Sequence, residues 1–277
     1  MIDRRTLIAG GVALAAAPAF GQRKARPGRP IGLQLYTLRT LFQADPVATL
    51  EQVARIGYKE VEYGGGGYDA MDPAMLRRTT DRLGLRAPAA HIGYDALRDR
   101  FDQSAAMAKA LGADTVVLPY IDEQYRTEAG WREVVATINN VARQLRARGL
   151  GFAYHNHDFE FTVKPGGVSL YDRMVRECDP ALVKFELDLF WAIKAGEDPA
   201  ALIRRLAGRI YAYHVKDMTA AGEMTSVGAG RIDFAGIFRL NNVAGVRHFF
   251  VENDESPAPY WPDVTTSFNN VSRLLGR

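Results

Sequence analysis

A single cysteine, Cys178, stands in a chain of 277 residues. One thiol cannot form an internal disulfide, and Cys-rich zinc modules are excluded, so histidines and carboxylates remain as the candidate metal ligands. No Gly-x-Gly-x-x-Gly or Walker-type loop follows the first apolar segment, which runs on instead as Leu35-Tyr36-Thr37-Leu38-Arg39. That absence argues against an open, doubly wound nucleotide-binding sheet. The run Gly64 to Gly67 precedes no capped helix and reads as a flexible loop rather than a phosphate cradle. No apolar stretch approaches the ~20 residues that span a bilayer, so stable membrane anchoring is not expected. With 47% hydrophobic and 24% charged residues the composition is that of a folded globular chain, which excludes disordered and collagen-like classes. The length allows two small domains or one large α/β domain, and ~250 residues is also the size of one eight-stranded barrel.

The N-terminus carries Arg4-Arg5, an apolar stretch from Leu7 to about Ala17, and small residues around Ala17-Pro18-Ala19. This is the layout of a secretory signal, and Asp3-Arg4-Arg5-Thr6-Leu7-Ile8 resembles a bacterial twin-arginine signal. We therefore read residues 1–21 as an export leader, with a periplasmic or otherwise exported mature protein. Residues 22–30 form a basic Pro/Gly linker and residues 31–277 the body. The formal net charge of +3 resides in the first two segments: the leader carries +1 and the linker +4, leaving the body at about −2. A mildly acidic body lacks the electrostatic footprint of a DNA- or RNA-binding protein, so no nucleic-acid partner is expected.

From Ile31 onward short apolar runs alternate with longer amphipathic ones. The expected strands are Ile31 to Tyr36, Lys59 to Tyr63, Arg86 to His91, Asp114 to Pro119, Gly151 to His157, Val183 to Asp188, Ile210 to Asp217 and His248 to Asp254. Segments such as Val47 to Ile56 and Trp131 to Arg148 have the three- and four-residue apolar spacing of helices between them. Strands separated by helices pair in parallel, and eight such repeats predict an α/β fold closed as a (β/α)8 TIM barrel.

In such a barrel, substrate-facing side chains sit at the C-terminal ends of strands. His91, His155, His157 and His214 fall at or near those ends, while His248 begins the eighth strand. Asp188 and Glu252 close the sixth and eighth strands, and Glu160 follows the fifth. Period-two alternation places Glu186 with Asp188 on one face, and His214 with Lys216 on one face. Acids and one imidazole gathered at a barrel mouth suit Mn²⁺, Mg²⁺ or Co²⁺, with Zn²⁺ admissible. The alternative is a solvated rim in which the same acids pair with neighbouring Arg or Lys.

The ordered segments GLQLYTLR, KEVEY, GFAYHNHDFEF, FELDLFW, YAYHVKDM and FFVEND resemble the xylose-isomerase-like TIM-barrel family, which includes sugar isomerases, sugar 3-epimerases and inosose dehydratases. The resemblance implies one divalent metal held by Glu160, Asp188, His214 and Glu252. The fifth strand departs from the family pattern, with His155 where a glutamate is usual, so His155 is the alternative to Glu160. The resemblance further implies catalytic roles for Glu160, Glu252, Lys216 and His155. Gln34, Tyr36, His91, His157 and Trp191 become candidates for binding the substrate. The implied activity is metal-dependent isomerisation or epimerisation of a small, non-phosphorylated sugar, keto-sugar or glycoside through an enediolate, with a lyase or dehydratase outcome as the alternative and a non-catalytic sugar-binding barrel as a third reading. A homo-oligomer is compatible with all of these. Protein recovered from a periplasmic fraction is expected to begin near residue 22, and N-terminal sequencing that finds Met1 there would remove the leader assignment.

Overall fold

The computed structural model describes residues 29–277; the leader and the linker as far as residue 28 lie outside the described residues. Eight strands form a closed parallel barrel. They are β1 (Ile31–Gln34), β2 (Glu60–Tyr63), β3 (Arg86–His91), β4 (Thr115–Leu118), β5 (Gly151–His155), β6 (Val183–Asp188), β7 (Ile210–Val215) and β10 (His248–Val251). Around the barrel the order is β1, β10, β7, β6, β5, β4, β3, β2. The short strands β8 (Asp217–Met218) and β9 (Met224–Thr225) pair antiparallel outside the barrel, a hairpin the apolar pattern does not announce. Five strands end one to three residues earlier than the sequence suggests: β1, β4, β5, β7 and β10. After β1 the chain turns into a 3-10 helix at Leu35–Leu38, with the Gln34 side chain accepting from the Tyr36 N–H, and β10 stops at Val251, ahead of Glu252.

The helices follow local chemistry. Asp45, Asp72 and Asp198 each precede a proline, and each carboxylate accepts a backbone N–H of the helix that begins there. Asp supplies the N-cap and Pro the preset φ of the first turn. The longest helix, Glu128–Ala147, is capped by Thr127 and buries Trp131, Val134, Val135, Ile138, Val141, Ala142 and Leu145, the stripe expected of 3.6-residue periodicity. No helix of the described residues is long and apolar enough to cross a membrane.

Two apolar layers result. The larger lies between strands and helices. The smaller fills the barrel itself with Ala89, Val117, Ala153, Tyr211, Ala212 and Phe250. Small residues on the inner wall leave room for the Phe250 ring: a Cβ on Gly32 would come within 2.4 Å of Phe250 Cδ1 and 3.2 Å of Glu60 Cβ. Beneath this layer, at the N-terminal end, His248 Nδ1 meets Glu60 Oε2 at 2.7 Å and the Tyr211 hydroxyl donates to the Pro88 carbonyl at 3.2 Å. His248 is thus separated from the other four histidines by the apolar plug. Gly32→Ala is expected to overpack that plug and cost about 1–3 kcal/mol, read as a lower urea midpoint. An unchanged midpoint would mean that the Phe250 ring has slack.

Candidate active site

Alternation along the strands turns Gln34, Glu62, His91, His155, Glu186, Asp188 and His214 inward at their C-terminal ends. Register brings them level: Gln34 pairs with Glu62, His155 with Glu186, and Asp188 with His214. All are buried except His91, which is partly so.

The deeper tier is built on two carboxylates. Glu62 Oε2 lies 2.7 Å from His214 Nε2 and accepts from Gln34 Nε2 at 2.8 Å. Glu186 Oε2 lies 2.9 Å from His91 Nε2, 3.0 Å from His214 Nε2 and 3.3 Å from His155 Nδ1. Ionised carboxylates in a dry interior require partners of opposite charge. The titrations follow that requirement. Burial pushes His91 down, but Glu62 and Glu186 outweigh it and raise the ring to about 9. Burial opposes His214 as well, yet Glu186 and Glu252 lift it well above the ordinary histidine value. His155 goes the other way, down to about 3, because burial is joined by repulsion from His214.

The upper tier surrounds Lys216. Its buried Nζ lies 3.1 Å from Asp188 Oδ2, 2.7 Å from Glu252 Oε2 and 2.9 Å from Asp254 Oδ2. His214 joins the tiers, with Nδ1 2.7 Å from Glu252 Oε2. Asp188 is fixed from behind: its Oδ1 accepts the Trp191 N–H at 2.8 Å and caps the helix Leu189–Lys194, while the Asn156 side chain pairs with the Asp188 backbone on both sides. Burial and then the nearby Glu252 raise Asp254 to about 6.

Above lies a cavity of about 440 Å³, lined among others by Tyr36, His155, His157, Lys216, Glu252 and Asp254. A smaller cavity of about 260 Å³ shares only Gly65 and His91 with it and touches neither Lys216 nor Glu252, so the reactive groups belong to the larger one. Burial holds His157 well below the usual histidine range. Both His155 and His157 are therefore neutral near pH 7, the form whose free ring nitrogen ligates a metal or accepts from a hydroxyl.

The structure redistributes several of the residues expected at this site. Glu160 is not brought to the cluster: its Oε1 accepts from the Tyr154 hydroxyl at 2.6 Å and its Oε2 from the His157 N–H at 2.7 Å, in full burial. A side chain committed to its own strand-end turn cannot also reach the mouth, and His155 occupies the fifth-strand position instead. Gln34 is fully buried and orients Glu62 rather than lining the larger cavity. Trp191 stands behind the cavity wall, its ring centroid 5.4 Å from that of His157. Tyr36, His91, His155, His157, Lys216 and Glu252 do border the cavity. Glu62, Asn156 and Asp254 were not singled out. For Glu62 a signal existed, since alternation in KEVEY turns it to the same face as Glu60. Asp254 is likewise two residues beyond Glu252.

A divalent ion fits this donor set. Two groups bring ligand atoms within 4.8 Å of one another: His91, His155, Glu186 and His214; and Asp188, His214 and Glu252. Asp188 Oδ2 and His155 Nδ1 are buried and make no well-formed hydrogen bond, although Lys216 Nζ lies 3.1 Å from the first and Glu186 Oε2 3.3 Å from the second, so both keep capacity for an ion. Lys216 already neutralises Asp188 and Glu252, and Asp254 provides a place for its ammonium to remain when an ion shares them. Mixed imidazole and carboxylate donors suit Mn²⁺, Co²⁺ and Zn²⁺.

The family model described as xylose isomerase-like TIM barrel matches residues 50–261. The inosose dehydratase of Geobacillus kaustophilus is 30% identical over 255 residues, covering 77% of this chain and 81% of that protein. Among solved structures, a sugar phosphate isomerase/epimerase of Parabacteroides distasonis superposes with a TM-score of 0.76 at 23% identity, covering 95% of this chain and 99% of its own. An IolI protein crystallised with a bound zinc atom superposes at TM-score 0.71 and 17% identity, covering 89% of this chain and 98% of its own.

Glu160 yields a measurable consequence of its position. Burial raises its carboxyl to about 8, against the Tyr154 hydroxyl and the backbone N–H groups that favour the ionised form. The folded state therefore holds a proton that the unfolded chain releases near pH 4.5, so this contribution to stability is complete below that pH and lost as pH rises through about 8. Glu160→Gln, which is neutral throughout, is expected to gain stability relative to wild type between pH 5 and 8 in urea titrations. Parallel pH profiles would show that Glu160 is ionised in the fold.

Proposed function

The chain belongs to the xylose isomerase-like TIM-barrel family, and from that membership we propose that it enolises a small, non-phosphorylated polyhydroxy ketone or aldehyde, acting as a metal-dependent sugar isomerase or epimerase. The observation that carries this reading is the upper tier, where one buried ammonium is surrounded by three carboxylates at the base of a cavity that two neutral imidazoles also line.

A divalent ion held by Asp188, His214 and Glu252, with the ion in place of the proton on His214, would supply a Lewis acid for the substrate carbonyl. The chain's own groups handle protons. Lys216 and His214 hold the Glu252 carboxylate well below the usual carboxylate range despite its burial, so it enters the reaction ionised and able to accept the α-proton. Lys216 Nζ beside it offsets the negative charge that develops on the substrate oxygen. Asp254, raised to about 6 by burial and by Glu252, shares the Lys216 ammonium with Glu252 and holds it at the base of the cavity. His157, two residues beyond the end of β5, lines the same cavity as Glu252. The proton that Glu252 takes returns from Glu252 to the neighbouring carbon in an isomerisation, and His157, neutral because burial holds it well below the usual histidine range, binds a substrate hydroxyl. Lys216 is engaged by three acids, which supports a neutral sugar rather than a phosphate ester at the cavity base. Action outside the cytoplasm, where free sugars predominate, belongs to the same proposal.

A second outcome is favoured by the curated relatives, which are inosose dehydratases. The first step is shared: the enediolate then expels a β-hydroxyl, protonated from Asp254 or Lys216, instead of being reprotonated at carbon. A screen of free keto-hexoses and inososes in D₂O with Mg²⁺ or Zn²⁺, followed by NMR, separates the two. Deuterium at the α-carbon with the hydroxyls retained marks isomerisation or epimerisation, and loss of water marks dehydration. Glu252→Gln is expected to lower turnover by about 10²- to 10⁴-fold with an unchanged circular dichroism spectrum. Retained α-exchange in that variant would overturn its assignment as the base.

A further inference from the structure

Among the described residues three large apolar side chains are exposed, Tyr36 at 40%, Tyr120 at 45% and Val243 at 42%, and the two tyrosines line the same reactive cavity. Scattered exposed aromatics need no explanation, but two on the rim of one polar cavity do. Neither ring is loose. The Arg39 guanidinium lies 4.3 Å from the Tyr36 centroid, and Arg39 is itself tied to the Tyr36 and Asp254 carbonyls at 2.9 and 3.1 Å. Gly65, at φ 71°, keeps the neighbouring loop clear, since a Cβ there would fall 2.6 Å from Tyr36 Cδ2. Tyr120 is steadied by edge contacts to His157 and Phe159, both with centroids at 5.4 Å, and by the Arg126 guanidinium at 4.9 Å.

We propose that Tyr36 and Tyr120 form a second subsite that stacks a further ring, so that the preferred substrate is a glycoside whose carbonyl-bearing ring enters first and whose other sugar ring remains between the tyrosines at the mouth. This deepens the sugar reading above and rests on it. The size of the cavity agrees: about 440 Å³ falls within the ~300–1,000 Å³ of pockets for larger ligands and leaves room beyond a single hexose ring. The chemistry agrees as well. The reacting ring meets carboxylates, an ammonium and imidazoles at the base, whereas the mouth offers aromatic faces, which pair with the apolar C–H face of a pyranose while its hydroxyls stay in water. Tyrosines already immobilised by arginine and by their neighbours lose little further freedom on binding.

Calorimetric titration of the full-length protein with cellobiose, maltose and lactose against glucose tests the subsite without turnover. At least one disaccharide is expected to bind about tenfold tighter than glucose, the gain of one good aromatic stack. Tyr120→Ala is expected to bring it back to the glucose level, while Tyr120→Phe, which keeps the ring face, retains the preference. Equal affinity for mono- and disaccharides in wild type, or a preference that survives Tyr120→Ala and Tyr36→Ala alike, would overturn the subsite. The outcome is separable from the proposed activity. Turnover of a keto-hexose with no gain from a second ring removes the subsite and leaves the activity, whereas disaccharide preference without α-exchange keeps the subsite and removes the chemistry.

Discussion

His214 commits both of its ring nitrogens, Nε2 to Glu62 and Glu186 below and Nδ1 to Glu252 above, in full burial. Four strands are thereby cross-linked through one imidazole: β7, β2, β6 and the end of β10. A charged ring in a dry interior is tolerable only because carboxylates surround it, and those carboxylates are tolerable only because rings and an ammonium surround them. The apolar plug of the barrel sets the stage for this by excluding water from beneath. Each tier depends on the other, so loss of the imidazole would leave buried acids uncompensated at two levels.

Much of the fold was legible because the chain states it locally. Asp-Pro pairs mark three helix starts, the apolar stripe of Glu128–Ala147 marks its buried face, and the eight apolar runs fall on the eight barrel strands. The ends of strands were harder to read. Tyr36, Lys216 and Glu252 continue the alternation of their strands, but the backbone has already turned, and alternation in sequence does not register where hydrogen bonding to the neighbouring strand ceases.

The site was legible in part for the same reason. Parity along a strand identifies inward residues, and it correctly groups Glu186 with Asp188. It cannot say whether a residue beyond the strand end returns to the mouth. Glu160, five residues past His155, depends on the turn that follows β5, where the His157 N–H and the Tyr154 hydroxyl capture its carboxyl group. Asn156 is the converse case: between two histidines it reads as one more polar residue, yet its amide clamps the Asp188 backbone of the next strand, a partner 32 residues away. Such long-range pairings leave no mark in a single sequence.

The polar pair Glu60–His248 and the Phe250 layer have a consequence for traffic. They stopper the N-terminal end, so among the described residues the reactive groups open to solvent through the mouth flanked by Tyr36 and Tyr120. A vessel with one door imposes a sequence on what enters: whatever lies deepest must arrive first, and it can leave only after what lies over it has cleared the doorway. Order of loading would then follow from barrel architecture alone, without any moving lid.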